Sequence, residues 1–328
     1  MQIPILDVRH LHTCFHTPKG VLKAVDDLSF SVLPGECLGI IGESGSGKSV
    51  TCLSIMGLIE PPGYVTAGEI LFEGRDLLRL SDRELEDIRG KEISMIFQDP
   101  LTSLNPVFTV EQQMTDVIKR HLGLSHRQAV RRAMDMLAQV GVPAPAERLR
   151  QYPFQLSGGL RQRVMIAMAL SCEPKLVIAD EPTTALDVSI QAQILDLLQD
   201  LKSQLHFALI FVSHDLGVIA NLSDKVIIMY AGKCMEAAPT EPIFSHPIHP
   251  YTAGLLNSAP SINSSRQTPL RPIEGVLPDL TCLPPGCPFA PRCAYRSAEC
   301  EQAMPPLESH GNGRLAACYH PLSVSGQR

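Results

Sequence analysis

The chain of 328 residues contains no tryptophan, and aromatic residues make up only 5% of it. That removes the commonest anchor of a protein to a membrane–water interface. Long hydrophobic runs are missing too. Val164–Cys172 and Val226–Tyr230 are core-sized, well short of the ~18–20 apolar residues that cross a bilayer. Nor is there an excess of positive charge: 28 Lys and Arg stand against 34 Asp and Glu, a net charge of −6. This argues against a nucleic-acid binder that relies on a general basic surface. The first residues, including Asp7 and Arg9, form no apolar stretch of a secretory signal. The expectation is a cytosolic chain that, if it works at a membrane, does so as a peripheral subunit.

What is present is an apolar share of 45%, enough for one large α/β domain of roughly 230–250 residues and a smaller appendage. Residues 3–33 alternate apolar and polar positions as antiparallel strands do, and Pro34-Gly35 makes a turn. Cys37–Ile41 is a continuous apolar run, the pattern of a strand buried on both faces. A glycine-rich loop follows, and Ser49–Ile59 reads as a helix. From about residue 100 the pattern turns helical. Ser125-His126-Arg127-Gln128 is a capping-box start. Val130, Ala133, Met134, Leu137 and Val140 recur at helical spacing, and Gly141 supplies a stop. Strand–helix alternation then resumes through Leu176–Ala179, a helix ending near Leu205, Phe207–Val212 and Val226–Tyr230. After Pro239 no long periodic segment survives, and more than half of the 27 prolines fall there. The expected division is therefore 1–237, with a helical subdomain at about 100–165, and a Pro-rich extension at 238–328.

Gly42-Glu43-Ser44-Gly45-Ser46-Gly47-Lys48-Ser49 is a Walker A loop between a strand and a helix. Its glycines let the backbone wrap phosphates with N–H groups pointing inward, and the helix N-terminus adds its positive end. Gly42, Ser44, Gly45, Ser46, Gly47, Lys48, Ser49 and Val50 are the candidate nucleotide contacts. Lys48 is expected on the β- and γ-phosphates and the Ser49 hydroxyl on Mg²⁺. Leu176–Ala179 followed by Asp180-Glu181 reads as a Walker B strand, with two carboxylates at the C-terminal edge of a parallel sheet. Asp180 is the expected magnesium partner, and Glu181 is suited to polarise the attacking water. Standing alone, the two acids are ordinary solvated residues of a strand end; the Walker A loop earlier in the chain favours the chemical reading.

With Gln98, Leu156-Ser157-Gly158-Gly159, Thr184-Ala185-Leu186-Asp187 and His214, these motifs resemble an ABC-type ATPase subunit over residues 1 to about 237. The resemblance implies an α/β fold. It comprises a P-loop ABC ATPase domain with a RecA-like parallel core, an antiparallel β subdomain and an inserted helical subdomain. A small loop-rich module with cysteines follows. It implies two subunits stacked head to tail, so that Ser157, Gly158 and Gly159 of one close on the γ-phosphate held by the other's Walker A loop. By the same resemblance Gln98 is expected to sense the γ-phosphate, join Ser49 and Asp180 near Mg²⁺, and couple to a membrane partner. The resemblance likewise places Asp187 in the loop crossing the dimer interface and His214 on the γ-phosphate. Phe15 stands where the family has an aromatic that stacks on adenine, although a core Phe fits the position almost as well. Leu160 departs from the family pattern, which usually has Gln there. Because the signature serves the other subunit's nucleotide, any defect would appear in the opposite site. Glu181 and His214 are both present, which argues against a module that binds ATP without hydrolysing it. A cassette acting on nucleic acid or ribosomes is disfavoured by the single cassette, the lack of sustained heptads and the acidic balance.

The ten cysteines form two populations. Cys14, Cys37, Cys52, Cys172 and Cys234 are widely spaced and read as small buried residues. Cys282, Cys287, Cys293, Cys300 and Cys318 crowd into the tail, where a cytosolic setting favours a bound metal or cluster over disulfides. The spacing Cys287-x5-Cys293-x6-Cys300-x17-Cys318 matches neither zinc ribbons nor ferredoxin runs, so Zn²⁺, an iron–sulfur cluster and unligated thiols all stay open. His246-Pro247-Ile248-His249-Pro250-Tyr251-Thr252 followed by these cysteines resembles the C-terminal extension of oligopeptide and dipeptide importer ATPases. That resemblance implies a [4Fe-4S] cluster on Cys287, Cys293, Cys300 and Cys318. Cys282 lies outside the series as a spare, and His320 is a further conceivable ligand. The resemblance also implies ATP and Mg²⁺ as cofactors and a paralogous second ATPase subunit. Two transmembrane permease subunits, an extracytoplasmic solute-binding protein and a place at the cytoplasmic face of the inner membrane complete the picture. The implied cargo is short peptides, with nickel chelates, glutathione or other small solutes as the alternative.

Overall fold

The computed structural model describes residues 3–184, 186–258 and 272–322. In chain order the strands are β1 (Leu6–Thr17), β2 (Gly20–Val32), β3 (Cys37–Ile41), β4 (Gly63–Phe72), β5 (Arg75–Asp76), β6 (Ile93–Ile96), β7 (Leu176–Asp180), β8 (Ala208–Val212), β9 (Lys225–Tyr230), β10 (Lys233–Pro239), β11 (Glu308–Ser309) and β12 (Leu315–Ala316). The helices are α1 (Lys48–Ile55), α2 (Asp82–Ile88), α3 (Pro100–Ser103), α4 (Val110–Leu122), α5 (His126–Gln139), α6 (Pro145–Leu149), α7 (Gly158–Leu170), α8 (Val188–Leu205), α9 (Leu216–Leu222), α10 (Thr240–Ser245), α11 (Pro250–Ser258) and α12 (Ala298–Gln302). Among the described residues no helix is long and apolar enough to cross a membrane.

The chain divides into two compact units. The first contains Val32–Glu36 and Asp76–Val212 together with the residues up to Ile5. Its sheet is parallel: β6 pairs with β7 from Ile93↔Leu176 to Ile96↔Ala179, and β7 pairs with β8 from Leu176↔Ala208 to Asp180↔Val212. Every residue of these three strands is buried, which is why they read as unbroken apolar runs. A parallel pair needs a crossover. α8 supplies it between β7 and β8 and buries Ile194, Leu198 and Leu201 on one face.

The helices of this unit begin where their caps dictate. Thr109 and Gln112 form a capping box before α4, and Gly123 closes that helix in the left-handed conformation. Ser125 and Gln128 form the expected box before α5. The α5 stripe differs from the sequence reading: the buried residues are Ala129, Ala133, Met136 and Leu137, while Val130 and Met134 are half-buried. The phase is set by α4, which presents Val110, Met114 and Ile118 as its own buried row. α7 is buried over most of its circumference, with Val164, Met165, Ile166 and Ala167 in succession.

The second unit contains Leu6–Ser31, Cys37–Arg75 and Ser213–Arg328. An antiparallel sheet runs in the order β2-β1-β4-β5. Beside it β3 pairs in parallel with β9, from Leu38↔Lys225 to Ile41↔Ile228, and β9 turns back into antiparallel β10. The tail then adds to this sheet: β12 pairs with β10 at Glu236↔Ala316 and Ala237↔Leu315, and β11 pairs with β12. The turn before α11 is fixed by a buried carboxylate. Ile248 and His249 donate their backbone N–H groups to Glu236 at 3.0 and 2.9 Å, and Arg314 lies 3.8 Å from it. Burial pushes the Glu236 carboxyl pKa up despite these bonds. Burial also lowers that of His249 to about 4, so its imidazole is neutral at pH 7.

Candidate nucleotide site

β3 delivers the chain into Gly42, and α1 begins at Lys48, so the phosphate loop is strand, turn and helix N-terminus in succession. Two glycines explain why no side chain is tolerated. A Cβ on Gly42 would lie 2.3 Å from Met229 O, and one on Gly47, at φ +101°, would lie 2.3 Å from Ala24 O. Lys48 is buried, and its Nζ donates to Gly42 O at 2.9 Å and Glu43 O at 3.2 Å, across the loop. Gly232 N donates to Ser46 O at 2.9 Å and braces the loop from the β9–β10 turn. Ser46 Oγ is buried with no hydrogen-bond partner, whereas Ser44 and Gly45 are exposed. The first turn of α1, which carries Ser49 and Val50, contains no acidic residue. The positive end of α1, the buried Lys48 ammonium and the unused Ser46 hydroxyl fit an anionic ligand with several oxygens.

The same unit holds two further expected residues. His214 is exposed just after Ser213, whose N–H donates to Ile40 O at 3.2 Å, so the segment before His214 is tied to the strand feeding the loop. Asp215 caps α9 beyond it, accepting from Gly217 and Val218. Phe15 is half-buried on β1, its ring packed over Gly63, where a Cβ would come within 2.4 Å.

The first unit carries the acids. Asp180 is buried at the end of β7. Glu181 has φ +45°, a left-handed conformation that costs a non-glycine residue about 1–2 kcal/mol. It is held there by its N–H to Val212 O at 3.0 Å. Its Oε2 accepts from Gln98 Nε2 at 3.3 Å and from Thr184 Oγ1 at 2.9 Å. The structure thus brings Gln98 and Glu181 together, and adds Thr184 as a donor that the sequence did not single out for this role. Ser157 caps α7, its Oγ accepting from Leu160 N at 3.4 Å, and Ser157 and Gly158 are exposed. Gly159 and Leu160 are half-buried. Asp187 is exposed at the N-cap position of α8 and makes no side-chain cap bond. Ala185 of the same run lies outside the described residues.

In the tail, Cys287, Cys293, Cys300 and Cys318 line one small pocket, together with His249 and Phe289 among others. Cys287 N donates to Cys300 O at 2.8 Å, which closes the loop across the pocket. Tyr295 N donates to Cys293 Sγ at 3.4 Å. Backbone N–H groups of Phe289 and Ala290 face the Cys287 thiol, and that of His320 faces Cys318. Burial pushes the Cys287 and Cys318 thiols up to about 11. The His320 ring is exposed and bonds Ser297 Oγ at 2.7 Å, and Cys282 is exposed outside the pocket. Among the described residues no three His, Cys, Asp or Glu side chains stand close enough to hold one metal ion. The thiols converge, but they are not drawn into a ligand set for a single ion such as zinc.

Comparison with known proteins decides the family. The ABC transporter profile matches residues 25–184, and the profile of the oligopeptide/dipeptide transporter C-terminal region matches residues 235–300. The oligopeptide transport ATP-binding protein OppD of Salmonella typhimurium is 49% identical over 318 residues, covering 97% of this chain and 94% of that protein. The chain belongs to the ATP-binding subunits of the oligopeptide/dipeptide ABC transporters. The dipeptide transport ATP-binding protein DppD of Bacillus subtilis is likewise 49% identical, over 316 residues covering 96% of this chain and 94% of that protein. A dimeric ATP-binding cassette solved in a post-hydrolysis state with ADP and Pi superposes with a TM-score of 0.65 at 27% identity. It covers 72% of this chain and 98% of the cassette. The fold is that of a P-loop ABC ATPase, an ATP-hydrolysing domain.

Proposed function

We propose that this ABC ATPase pairs head to tail with a second, paralogous ATP-binding subunit and drives a pair of membrane permease subunits. The pair imports short peptides handed over by an extracytoplasmic solute-binding protein. The observation that carries the reading is the coexistence in one chain of the Walker loop and a C-terminal region of oligopeptide/dipeptide type over residues 235–300. The chain works peripherally at the cytoplasmic face of the inner membrane. Leu101, Val107, Phe108 and Phe154 are exposed apolar residues of the helical segment that follows Gln98, and such residues support contact with another protein there.

Gly42 and the loop residues Ser44, Gly45, Ser46, Gly47, Lys48, Ser49 and Val50 hold the phosphates, and Phe15 lies against the adenine. Ser49, Gln98 and Asp180 are oxygen donors suited to Mg²⁺, which when bound neutralises charge on the phosphate oxygens. Glu181 orients and polarises the attacking water while His214 contacts the γ-phosphate. Ser157–Gly159 close on the nucleotide of the other subunit, and Asp187 lines the junction between subunits. The four converging thiols take a [4Fe-4S] cluster. What supports that reading is their common pocket and the N–H groups aimed at the sulfurs, the kind of bond that tunes such clusters. When bound, the cluster supplies a covalent staple to a proline-rich segment and a one-electron couple.

The test is reconstitution of the chain with its permease subunits, second ATPase and binding protein in vesicles. ATP-dependent uptake of a labelled dipeptide or oligopeptide is expected. Uptake of a nickel chelate or glutathione but of no peptide would replace the cargo and leave the ATPase reading standing.

A further inference from the structure

Glu43, the second residue of the phosphate loop, is gripped by the C-terminal region at its backbone N–H and at its carboxylate. Its backbone N–H donates to Tyr251 Oη at 3.1 Å. Its carbonyl accepts from Lys48 Nζ at 3.2 Å. Its carboxylate receives both prongs of the Arg292 guanidinium, Nη1 to Oε2 at 2.7 Å and Nη2 to Oε1 at 3.1 Å. The side chains are 7% exposed for Arg292 and 23% for Glu43. A bidentate pair so poorly solvated is a strong, directional contact.

Arg292 is fixed by more than this pair. Nη1 also donates to Tyr230 Oη at 3.2 Å, Nη2 to Ile273 O at 3.2 Å and Nε to Glu274 O at 3.0 Å. All five guanidinium donors therefore have acceptors. Tyr230, Tyr251 and Phe289 pack around it, with ring centroids 4.7 Å (Tyr230–Tyr251), 5.4 Å (Tyr230–Phe289) and 5.2 Å (Tyr251–Phe289) apart. Burial raises the Tyr251 hydroxyl far above the usual phenol range, so it stays neutral. Arg292 immediately precedes Cys293 of the thiol pocket. A carboxylate inside a loop built to receive a triphosphate is electrostatically adverse unless a cation cancels it. Arg292 supplies that cation from 249 positions away.

We propose that Arg292 and Tyr251 are positioning residues for nucleotide binding. Arg292 neutralises and orients Glu43, Tyr251 holds the Glu43 amide, and the C-terminal region is thereby part of the ATP site of its own chain. The inference needs only that the Walker loop binds nucleotide; it is independent of cargo, permease and cluster.

The experiment titrates the full-length chain, purified anaerobically, with the fluorescent nucleotide mant-ADP and Mg²⁺. Arg292→Gln is expected to raise Kd on the order of tenfold, and Tyr251→Phe to raise it less. Glu43→Gln leaves Kd unchanged or lower, because it removes the repelling charge. The double variant Glu43→Gln/Arg292→Gln returns Kd to within about threefold of the parent, since neither charge remains. Arg292→Lys retains most of the affinity. In steady-state hydrolysis the Arg292→Gln loss falls on KM for ATP, with kcat kept. An unchanged Kd in Arg292→Gln would overturn the proposal. So would a double variant that folds, by its thermal melt, yet binds no better than the single one. Where Arg292→Gln fails to fold, Glu43→Gln and Tyr251→Phe decide, and a tenfold loss in Glu43→Gln refutes the charge argument.

Discussion

Gln98 and Glu181, 83 positions apart, meet through a 3.3 Å hydrogen bond from the amide Nε2 to the carboxylate Oε2. Thr184 Oγ1 donates to the same oxygen at 2.9 Å. Two donors on one oxygen fix the orientation of the side chain proposed as the base for the attacking water. Glu181→Gln keeps the shape and loses the base. Turnover should fall by about 10²–10⁴, while mant-ATP still binds and ATP-bound dimers accumulate on size exclusion. Phosphate release at the parent rate would remove Glu181 from the role of base.

The exposed start of α7 yields a separate prediction. A Cβ on Gly158 would meet nothing nearer than Leu186 Cδ2 at 4.0 Å, so a side chain there fits without disturbing its own subunit. In the proposed head-to-tail pair, Gly158→Asp places a carboxylate at the helix end that closes on the other subunit's γ-phosphate. Expected are a parental melting temperature, parental nucleotide affinity in the monomer, and hydrolysis reduced at least about a hundredfold. Loss of affinity in the monomer would mean that the signature acts within its own chain.

Legibility in the sequence followed distance along the chain. Cys37–Ile41 is a strand with the bounds its apolar run suggests, and the Ser125 box opens α5. Both signals are complete within a few residues. α1, expected to run to Ile59, ends at Ile55 because Gly57 takes φ +62° just beyond it. The α5 stripe is displaced because its phase is chosen by α4, which no window on α5 contains. A two-residue strand such as β12 is below the length at which alternation shows, so its pairing with β10 could not be read. The Gln98–Glu181 and Glu43–Arg292 contacts join residues with no common local pattern. For the first, Glu181 is legible from the Walker B pattern and Gln98 only from family resemblance; the second has no signal in either.

Asp26 ties the β9–β10 turn to β2, since its N–H donates to Gly232 O at 2.9 Å and its carboxylate lies 2.6 Å from Lys233 Nζ. Burial alone would raise this carboxyl, but the hydrogen bond and charge of Lys233, with Lys23 and His12, hold it below the usual range. A depressed carboxyl adds stability above its unfolded value near pH 4 and loses it as pH falls through the folded value. Asp26→Asn should therefore cost about 2 kcal/mol at pH 7, a drop of roughly 5 °C in Tm. The difference should shrink below about pH 4. A gap that stays constant from pH 7 to pH 3 would show that the charge contributes nothing.

The tail thiols carry the last prediction. Four cysteines face one pocket, three of their sulfurs are approached by backbone N–H groups, and a hydroxyl, Ser297 Oγ, lies 3.6 Å from the Cys300 sulfur. Such donors stabilise a thiolate bound to iron far more than a neutral thiol, whose sulfur is only a weak acceptor. The anaerobically purified chain should be brown, with iron and sulfide each near about four per chain. Cys300→Ser should lose colour and iron together. Cys282→Ser should keep both, because that thiol is exposed and outside the pocket. A colourless protein with one zinc per chain would replace the cluster by a single ion and require the four sulfurs to close by side-chain rotation. A colourless, metal-free protein whose melting temperature is unmoved by iron reconstitution would leave the thiols as packing, and the staple would then be the hydrogen bond from Cys287 N to Cys300 O.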